Sequence, residues 1–148
     1  MLARNVLLSE CRSWLASFKP NVFVTFNFGY PVSIEVGGSS VLRFFNRAQR
    51  GVHGRNWNER KTDRYMIGIG FWEHVDSNPH LHVVAKMSKE ERAWLRMNGE
   101  DAWVEKQKRG QLDFSKIESR ERVISYITKE FSGPDSQERM FAYKAPLD

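Results

Sequence analysis

The chain has 148 residues, one cysteine and a formal net charge of +5 at pH 7. This length is typical of one domain, the single cysteine, Cys11, excludes an internal disulfide and a multi-cysteine metal cage, and no apolar run approaches the roughly 20 residues needed to cross a bilayer. We therefore expect one domain over residues 1–148 in a reducing, cytosol-like setting, and the positive charge favours an anionic partner.

The first half of the chain predicts helix, strand and helix in that order. Apolar residues at helical spacing over 3–18 predict an amphipathic helix. The aromatic and β-branched run NVFVTFNFG, 21–29, predicts a strand. Residues 30–40 contain two adjacent glycines and predict a loop, and a helix capped by a serine follows over 39–50. The polar residues 51–63 predict a second loop.

The middle of the chain predicts a hairpin followed by a helix. Residues 64–75 and 80–87 are apolar runs typical of strands. The four residues DSNP between them are of the types that tight turns prefer, so the two strands should pair antiparallel. Ser88 with Glu91 three residues later forms a capping box and predicts a helix that extends to about residue 108.

The last third predicts a strand over 111–117, a helix over 118–131, and an edge strand at RMFAYKA, 139–145. The central order is therefore β-α-β-β-α-β, which is the ferredoxin-like arrangement within the α+β class. It predicts one antiparallel sheet with helices packed on it, in which the first and third strands are central. One helix precedes this core, and the helix that carries Tyr126 lies towards the C-terminus.

Two of the four histidines, His80 and His82, are two residues apart on a predicted strand, so they should face the same way. A four-residue turn would pair Val75 with His80 and Glu73 with His82, with Cβ atoms roughly 4.5–5.5 Å apart. Two imidazoles and one carboxylate would leave coordination positions of a bound metal open, as catalysis requires. A register slip of one residue would bring His74 forward in place of Glu73. The alternative is a pair of surface histidines that bind no metal.

Positive charge is concentrated between residues 43 and 64. This segment has seven basic and two acidic side chains, a net +5 that equals the excess of the whole chain. Basic residues around a tryptophan suit a groove that follows a phosphate backbone and stacks a base. A solvated helix face and loop is the alternative. The candidate nucleic-acid contacts are Arg43, Arg47, Arg50, Arg55, Trp57, Lys61 and Arg64.

Tyr126 lies at the edge of the apolar stripe of the helix over 118–131. Arg122, Lys129 and Glu130 are three or four residues away, so they are its neighbours on the helix surface. A phenol with a pKa near 10 is a poor nucleophile at neutral pH. A nearby cation or base, together with a metal, would allow it to attack a phosphate. The alternative is a tyrosine at the boundary between core and solvent.

Three motifs in order resemble those of the HUH endonucleases, specifically the single-tyrosine replication-initiator (Rep) class. FVTFNF, 23–28, resembles the first motif, a hydrophobic strand with a central threonine. HLH, 80–82, resembles the histidine–hydrophobe–histidine motif that names the family, and YITK, 126–129, resembles the YxxK motif. The tyrosine follows the histidines, as in replication initiators and related transposases. The resemblance covers about 21–131, which would be the core of a single nuclease domain.

The resemblance implies that the protein binds single-stranded DNA, often next to a hairpin at an origin, and uses a divalent metal, Mn²⁺ or Mg²⁺. Tyr126 would attack the backbone, forming a 5′-phosphotyrosine bond and freeing a 3′-hydroxyl that primes rolling-circle synthesis or later rejoins the strand. His80 and His82 would be metal ligands, and Glu73 matches a third ligand of several viral initiators. Lys129 would contact the phosphate or manage proton and charge at the tyrosine.

The same resemblance implies the setting in which the protein acts. We expect a monomer in the bacterial cytoplasm, encoded by a plasmid or phage, with no membrane partner. No helicase segment follows the motifs, so the chain is expected to use a host or separate helicase, or to be an excised nuclease domain. A transposase of the same superfamily, a zinc hydrolase and a non-catalytic sheet that binds single-stranded nucleic acid are the competing hypotheses.

Overall fold

The structure is a computed structural model, and it describes residues 17, 19–130 and 139–146. The helix predicted over 3–18 lies outside these residues, apart from Ser17, and so does the end of the helix predicted to run to 131. A 3₁₀ turn at Trp57–Glu59 and a π-helical segment at Leu95–Gly99 accompany the regular elements. Those elements are β1 Val22–Asn27, α1 Ile34–His53, β2 Met66–Glu73, β3 His80–Lys86, α2 Lys89–Trp94, α3 Glu100–Lys106, β4 Gln111–Lys116, α4 Arg120–Glu130 and β5 Met140–Ala145.

The strands form one antiparallel sheet in the order β4-β1-β3-β2-β5, and the protein belongs to the α+β class. This order is consistent in general with a ferredoxin-like arrangement, because β1 and β3 are interior neighbours, as the sequence predicts. The strand expected near the C-terminus is present as β5 and pairs with β2 at the edge of the sheet. Within the described ranges, no helix combines the length and apolar character that a membrane crossing requires.

The two faces of the sheet differ because successive side chains of a strand point to opposite sides. On β1, Val22, Val24 and Phe26 are fully buried against the helices. The ring of Phe26 packs at 4.9–5.5 Å from the rings of Phe44 and Phe45 of α1 and of Trp103 of α3. We call this side the helical face. It contains most of the hydrophobic core.

The opposite side of the sheet is the histidine face, which is defined by five residues in paired register. Thr25 pairs with His82, Asn27 pairs with His80, and Glu73 pairs with His80 from the other side. Paired residues of antiparallel strands project from the same side of the sheet. The side chains of these five residues therefore share one face, opposite α1.

Helix α1 begins at Ile34, so the loop predicted over 30–40 is wrong in its second half. Ser33 is the cap, and its Oγ accepts a hydrogen bond from the Val36 amide at 3.1 Å. Gly37 lies inside the helix and is buried, and a Cβ at this position would overlap Cη2 of Trp72. The glycine is therefore required by the close approach of the helix to the sheet.

The hairpin register differs from the prediction by two residues. Strand β2 ends at Glu73, which pairs with His80, and Phe71 pairs with His82. The backbone of His74 has a positive φ of 54°, which takes the chain out of the strand before the predicted turn. A shift of two residues leaves every side chain on its predicted face. The error in register therefore keeps Glu73 and both histidines together.

The helix after the hairpin begins as predicted. The Ser88 hydroxyl accepts from the Glu91 amide at 3.1 Å, and the Glu91 carboxylate accepts from the Ser88 amide at 2.7 Å, which completes the capping box. Helical backbone then continues through α2, the π-helical segment and α3 to Lys106. This stretch packs beside α1 on the helical face, chiefly through α2.

Candidate active site

His80 and His82 lie side by side at the start of β3 on the histidine face. Their imidazole rings are parallel within 6°, with centroids 6.2 Å apart. The His82 side chain is only 13% exposed, because neighbouring strands and aromatic rings surround it. The spacing of two residues on a strand therefore produces the paired arrangement that the sequence predicts.

Glu73 contacts the histidine pair diagonally across the hairpin. Its Oε2 lies 2.7 Å from Nε2 of His82, which makes a hydrogen bond or an ion pair according to the protonation of the ring. His74, the alternative ligand, is more exposed, with its Nε2 4.0 Å from Oε1 of Glu73 and its ring 6.0 Å from that of His80. Both residues lie near the pair, and the contact of Glu73 is the closer one.

Strand β1 contributes two polar side chains that the sequence analysis did not select as site residues. Thr25 Oγ1 lies 3.0 Å from Nδ1 of His82, and Asn27 Nδ2 lies 3.1 Å from Nε2 of His80. Both orient an imidazole. The signal was present in the sequence: Thr25 and Asn27 alternate with buried residues on a strand predicted to lie beside the histidine strand.

Tyr126 lies close to the histidines although it belongs to α4. The centroid of its phenol ring is 5.9 Å from that of the His82 imidazole, and the two planes are nearly perpendicular at 87°. Phe23 of β1 contacts both rings, with centroids 5.7 Å from His82 and 6.1 Å from Tyr126. The tyrosine is 39% exposed, so a ligand can reach it from solvent. Lys129 and Glu130 end the same helix, but their side chains lie outside the described part of the structure.

An open groove of about 720 Å³ lies beside Tyr126, between α4 and the end of β4. Phe23, Val123 and Tyr126 supply apolar surface, while Lys116 and Arg122 supply two positive charges and Glu118 one negative charge. The groove is large enough for a nucleotide unit, since small-molecule pockets generally measure roughly 300–1,000 Å³. A ligand in this groove would contact the candidate nucleophile directly.

The donor set of the site fits a divalent cation by its chemistry. Glu73 supplies carboxylate oxygen, and two imidazoles supply nitrogen, the ligands that Mn²⁺ and related ions accept. Nδ1 of His80 is buried and has no hydrogen-bond partner within the described structure. As placed, however, the Glu73 carboxylate bonds directly to Nε2 of His82, and among the described residues no group of three or more histidine, cysteine, aspartate or glutamate side chains is positioned to hold an ion.

Helix α1 carries its candidate DNA contacts on the other side of the molecule. Arg43, Arg47 and Arg50 are exposed on the outer surface of the helix, which packs on the helical face. Arg47 pairs with Glu105 of α3 at 3.0 Å. The sheet therefore separates these three arginines from the histidines.

The remaining basic candidates lie in the segment that connects α1 to β2. Arg55, Lys61 and Arg64 are exposed there, and Trp57 is partly buried against the hydrophobic core. The segment enters β2 at Met66, seven residues and roughly 23 Å of strand before Glu73. The structure thus does not bring these residues to the histidine site.

Comparisons of this chain with protein-family models, with curated proteins and with solved structures found no match.

Proposed function

We propose that this protein is a metal-dependent endonuclease of the HUH class that nicks and rejoins single-stranded DNA through a 5′-phosphotyrosine intermediate, as a rolling-circle replication initiator does. The observation that carries the proposal is the position of Tyr126, whose ring lies 5.9 Å from that of His82. The sequence separates the two residues widely, and packing of α4 brings the phenol to the histidine pair.

The finer fold assignment supports the same proposal. A ferredoxin-like βαββαβ core would place the histidine strand beside the first strand in the centre of the sheet, and β3 does lie beside β1. Thr25 of the first motif then contacts His82 of the second. The tyrosine motif follows on α4. The three motifs that resemble those of replication initiators thus meet on one face.

Glu73, His80 and His82 are the residues that would hold a divalent cation, Mn²⁺ or Mg²⁺. When bound, such an ion polarises a phosphate and stabilises negative charge on its oxygens. For Nε2 of His82 to act as a ligand, the ring proton must be on Nδ1. Thr25 Oγ1 lies 3.0 Å from that nitrogen and can accept the proton in a hydrogen bond. Thr25 can therefore support the tautomer that a metal at Nε2 requires, in place of the one that the contact with Glu73 uses.

Tyr126 supplies the nucleophile. Its phenol loses a proton, the oxygen forms a bond to the phosphorus of the DNA backbone, and the bond from phosphorus to the 3′ oxygen breaks. That oxygen gains a proton and leaves as a free 3′-hydroxyl, while the downstream 5′ phosphate stays on the tyrosine. The reverse attack by a 3′-hydroxyl rejoins the strand. We propose that Lys129 either contacts the phosphate or stabilises negative charge on the phenol oxygen.

Single-stranded DNA is the substrate that the groove beside Tyr126 fits best. Its apolar walls suit a base or sugar, and Lys116 and Arg122 suit the flanking phosphates. We propose an unpaired strand because its bases are free to enter the groove beside the tyrosine. The hairpin next to an origin, the separate or host helicase, the monomeric state and the bacterial cytoplasm belong to the same proposal.

The test is a cleavage assay with two labels. The protein is incubated with a pool of single-stranded oligonucleotides and Mn²⁺, and products are separated on a denaturing gel. A 3′ label should migrate with the protein, and a 5′ label should be released on a fragment that a polymerase can extend. Both products should disappear when a chelator replaces the metal. A 5′ label on the protein, or binding without any covalent adduct, would contradict the proposal.

A further inference from the structure

A second cationic groove lies on the helical face, between α1 and α3. It has a volume of about 350 Å³. Arg43 and Arg47 line it from α1, Lys106 lines it from the end of α3, and the buried rings of Phe44 and Trp103 form its floor. Three cations thus surround a small apolar floor, and one of them, Arg47, is paired with Glu105.

The electrostatic surroundings of this groove are positive. Glu105 is the acid at its margin, and its carboxylate binds Arg47 at 3.0 Å. The hydrogen bond and charge of Arg47 lower the pKa of Glu105, and the charges of Lys106 and Lys108 lower it further. Within the described residues, Arg43 and Lys106 form no ion pair. These two cations are therefore available to an anionic ligand.

The groove is connected to the histidine site through the end of β1. The indole nitrogen of Trp103, at the floor of the groove, donates to the Asn27 carbonyl at 3.0 Å. The side-chain amide of Asn27 in turn lies 3.1 Å from His80. The sheet is a single layer, so the groove and the histidines lie on opposite faces at the same end of it.

A turn with exposed cations joins the two sites around that end. The turn, residues 107–110, is closed by a hydrogen bond from the Gly110 amide to the Gln107 carbonyl at 2.8 Å. Lys108 and Arg109 are exposed on it. β4 begins directly after the turn, at Gln111, which pairs with Asn27. Gln111 is therefore two inter-strand spacings, about 10 Å, from His80. Positive charge thus continues from the groove to the end of the sheet at Gln111.

We infer that the groove between α1 and α3 binds phosphates of the same DNA single strand that the histidine face cleaves, where the strand passes over the turn 107–110. The inference rests on the proposed function for the identity of the strand. It adds Arg43, Lys106, Lys108 and Arg109 to the path of the DNA and leaves the basic residues of the segment before β2 away from that path.

The experiment measures how affinity depends on oligonucleotide length. Fluorescence anisotropy is recorded with single-stranded oligonucleotides of about 8 and about 30 nucleotides, since one site of this kind covers about 4–16 nucleotides. The wild type is compared with Arg43→Ala/Lys106→Ala. The matched control is Lys89→Ala/Arg96→Ala, which removes two exposed cations of the same helical layer outside the groove. Circular dichroism confirms that each variant is folded.

We expect the groove variant to lose affinity several-fold for the long oligonucleotide and much less for the short one. Each lost phosphate contact lowers the slope of log affinity against log salt by about 0.7 on a single strand, so two lower it by about 1.4. The control variant should bind both lengths as the wild type does. Equal losses for both lengths, or equal losses in the groove and control variants, would overturn the inference.

Adduct formation by the wild type is scored separately with the short oligonucleotide. If the adduct forms but the groove variant keeps full affinity for the long oligonucleotide, the inference is wrong and the proposed function stands. If no adduct forms and the groove variant still loses affinity with length, the groove binds a polynucleotide and the proposed cleavage is wrong. The two proposals can therefore fail independently.

Discussion

The ring of Tyr126 lies perpendicular to the imidazole of His82, with 5.9 Å between the two centroids. The two residues come from α4 and β3, and Phe23 of β1 packs against both. Perpendicular aromatic contacts of this kind are favourable by roughly 0.5–1.5 kcal/mol beyond the burial of their surface. The phenol is therefore held over the histidine strand by packing, and the residue remains 39% exposed.

We predict that Tyr126→Phe abolishes the covalent adduct while it leaves the fold and oligonucleotide binding nearly intact. Phenylalanine keeps the ring that contacts Phe23 and His82 and removes only the nucleophilic oxygen. The control is Tyr65→Phe, which removes a phenol oxygen from the segment before β2, away from the histidine site. It should form the adduct at the wild-type rate. Normal adduct formation by Tyr126→Phe would show that another residue is the nucleophile.

Thr25 should act as a positioning residue for His82. Thr25→Val replaces the hydroxyl 3.0 Å from Nδ1 of His82 with a methyl group of similar size. Loss of such an outer partner commonly costs about 10–100-fold in metal affinity. We therefore expect the Mn²⁺ concentration for half-maximal adduct formation to rise by about tenfold or more, with a similar rate at saturating metal.

Thr25→Ser is the matched variant, because it keeps the hydroxyl and loses the methyl group. It should require nearly the wild-type concentration of Mn²⁺. A purely structural role for Thr25 predicts a different result: both variants would lower the maximal rate or the stability, and neither would change the metal concentration at half-maximum.

The composition of the histidine face was predictable from the sequence because strands have a strict period of two. The pairing of Glu73 with His82 was expected and the structure pairs Glu73 with His80 instead. Since the error is an even number of residues, all three side chains stay on one face. Turn length, by contrast, depended on the positive φ of His74, which no local pattern indicated.

The helices were less predictable because packing decides their ends and their orientation. Adjacent glycines disfavour a helix by intrinsic propensity, yet α1 passes through Gly37, since only glycine fits against Trp72. The cluster of basic residues over 43–64 did not indicate which face of the protein it would occupy. Burial of Val41, Phe44 and Phe45 turns α1 so that its arginines face away from the sheet.

The two glycines of α1 should respond to alanine in opposite directions. At Gly37 a Cβ would overlap the Trp72 ring, whereas at Gly38 nothing lies within 4 Å of that position. Gly37→Ala should lower the free energy of unfolding by about 1–3 kcal/mol through overpacking. Gly38→Ala should raise it by about 0.5–1 kcal/mol through helix propensity. Urea denaturation measures both, and shifts of the same sign would contradict the packing of α1 against Trp72.

The last prediction concerns Tyr143, a buried residue of β5 on the helical face. Its hydroxyl donates to Asn46 Oδ1 at 2.7 Å. Burial raises the pKa of this phenol well above its usual value near 10, and the charge of Glu91 raises it further while that of Arg60 opposes the rise. The folded state therefore retains the phenol proton at a pH where the unfolded chain has lost it.

This difference makes stability depend on pH in the alkaline range. Below about pH 10 the phenol is protonated in both states and its titration has no effect. Above that pH the folded state binds more protons than the unfolded state, so the free energy of unfolding falls as pH rises. The stabilisation that the buried phenol supplies is thus complete below pH 10 and is lost as pH rises towards the folded pKa.

We predict that Tyr143→Phe costs about 1 kcal/mol at pH 7, because it removes the hydrogen bond to Asn46. The difference in unfolding free energy between wild type and Tyr143→Phe should then shift by about 1 kcal/mol in favour of the variant between pH 10 and pH 11. Urea denaturation of both proteins across this range measures the shift. Other groups titrate there too, but they are common to both proteins and cancel in the comparison. A difference that stays constant from pH 7 to pH 11 would show that the Tyr143 phenol ionises equally in the folded and unfolded states.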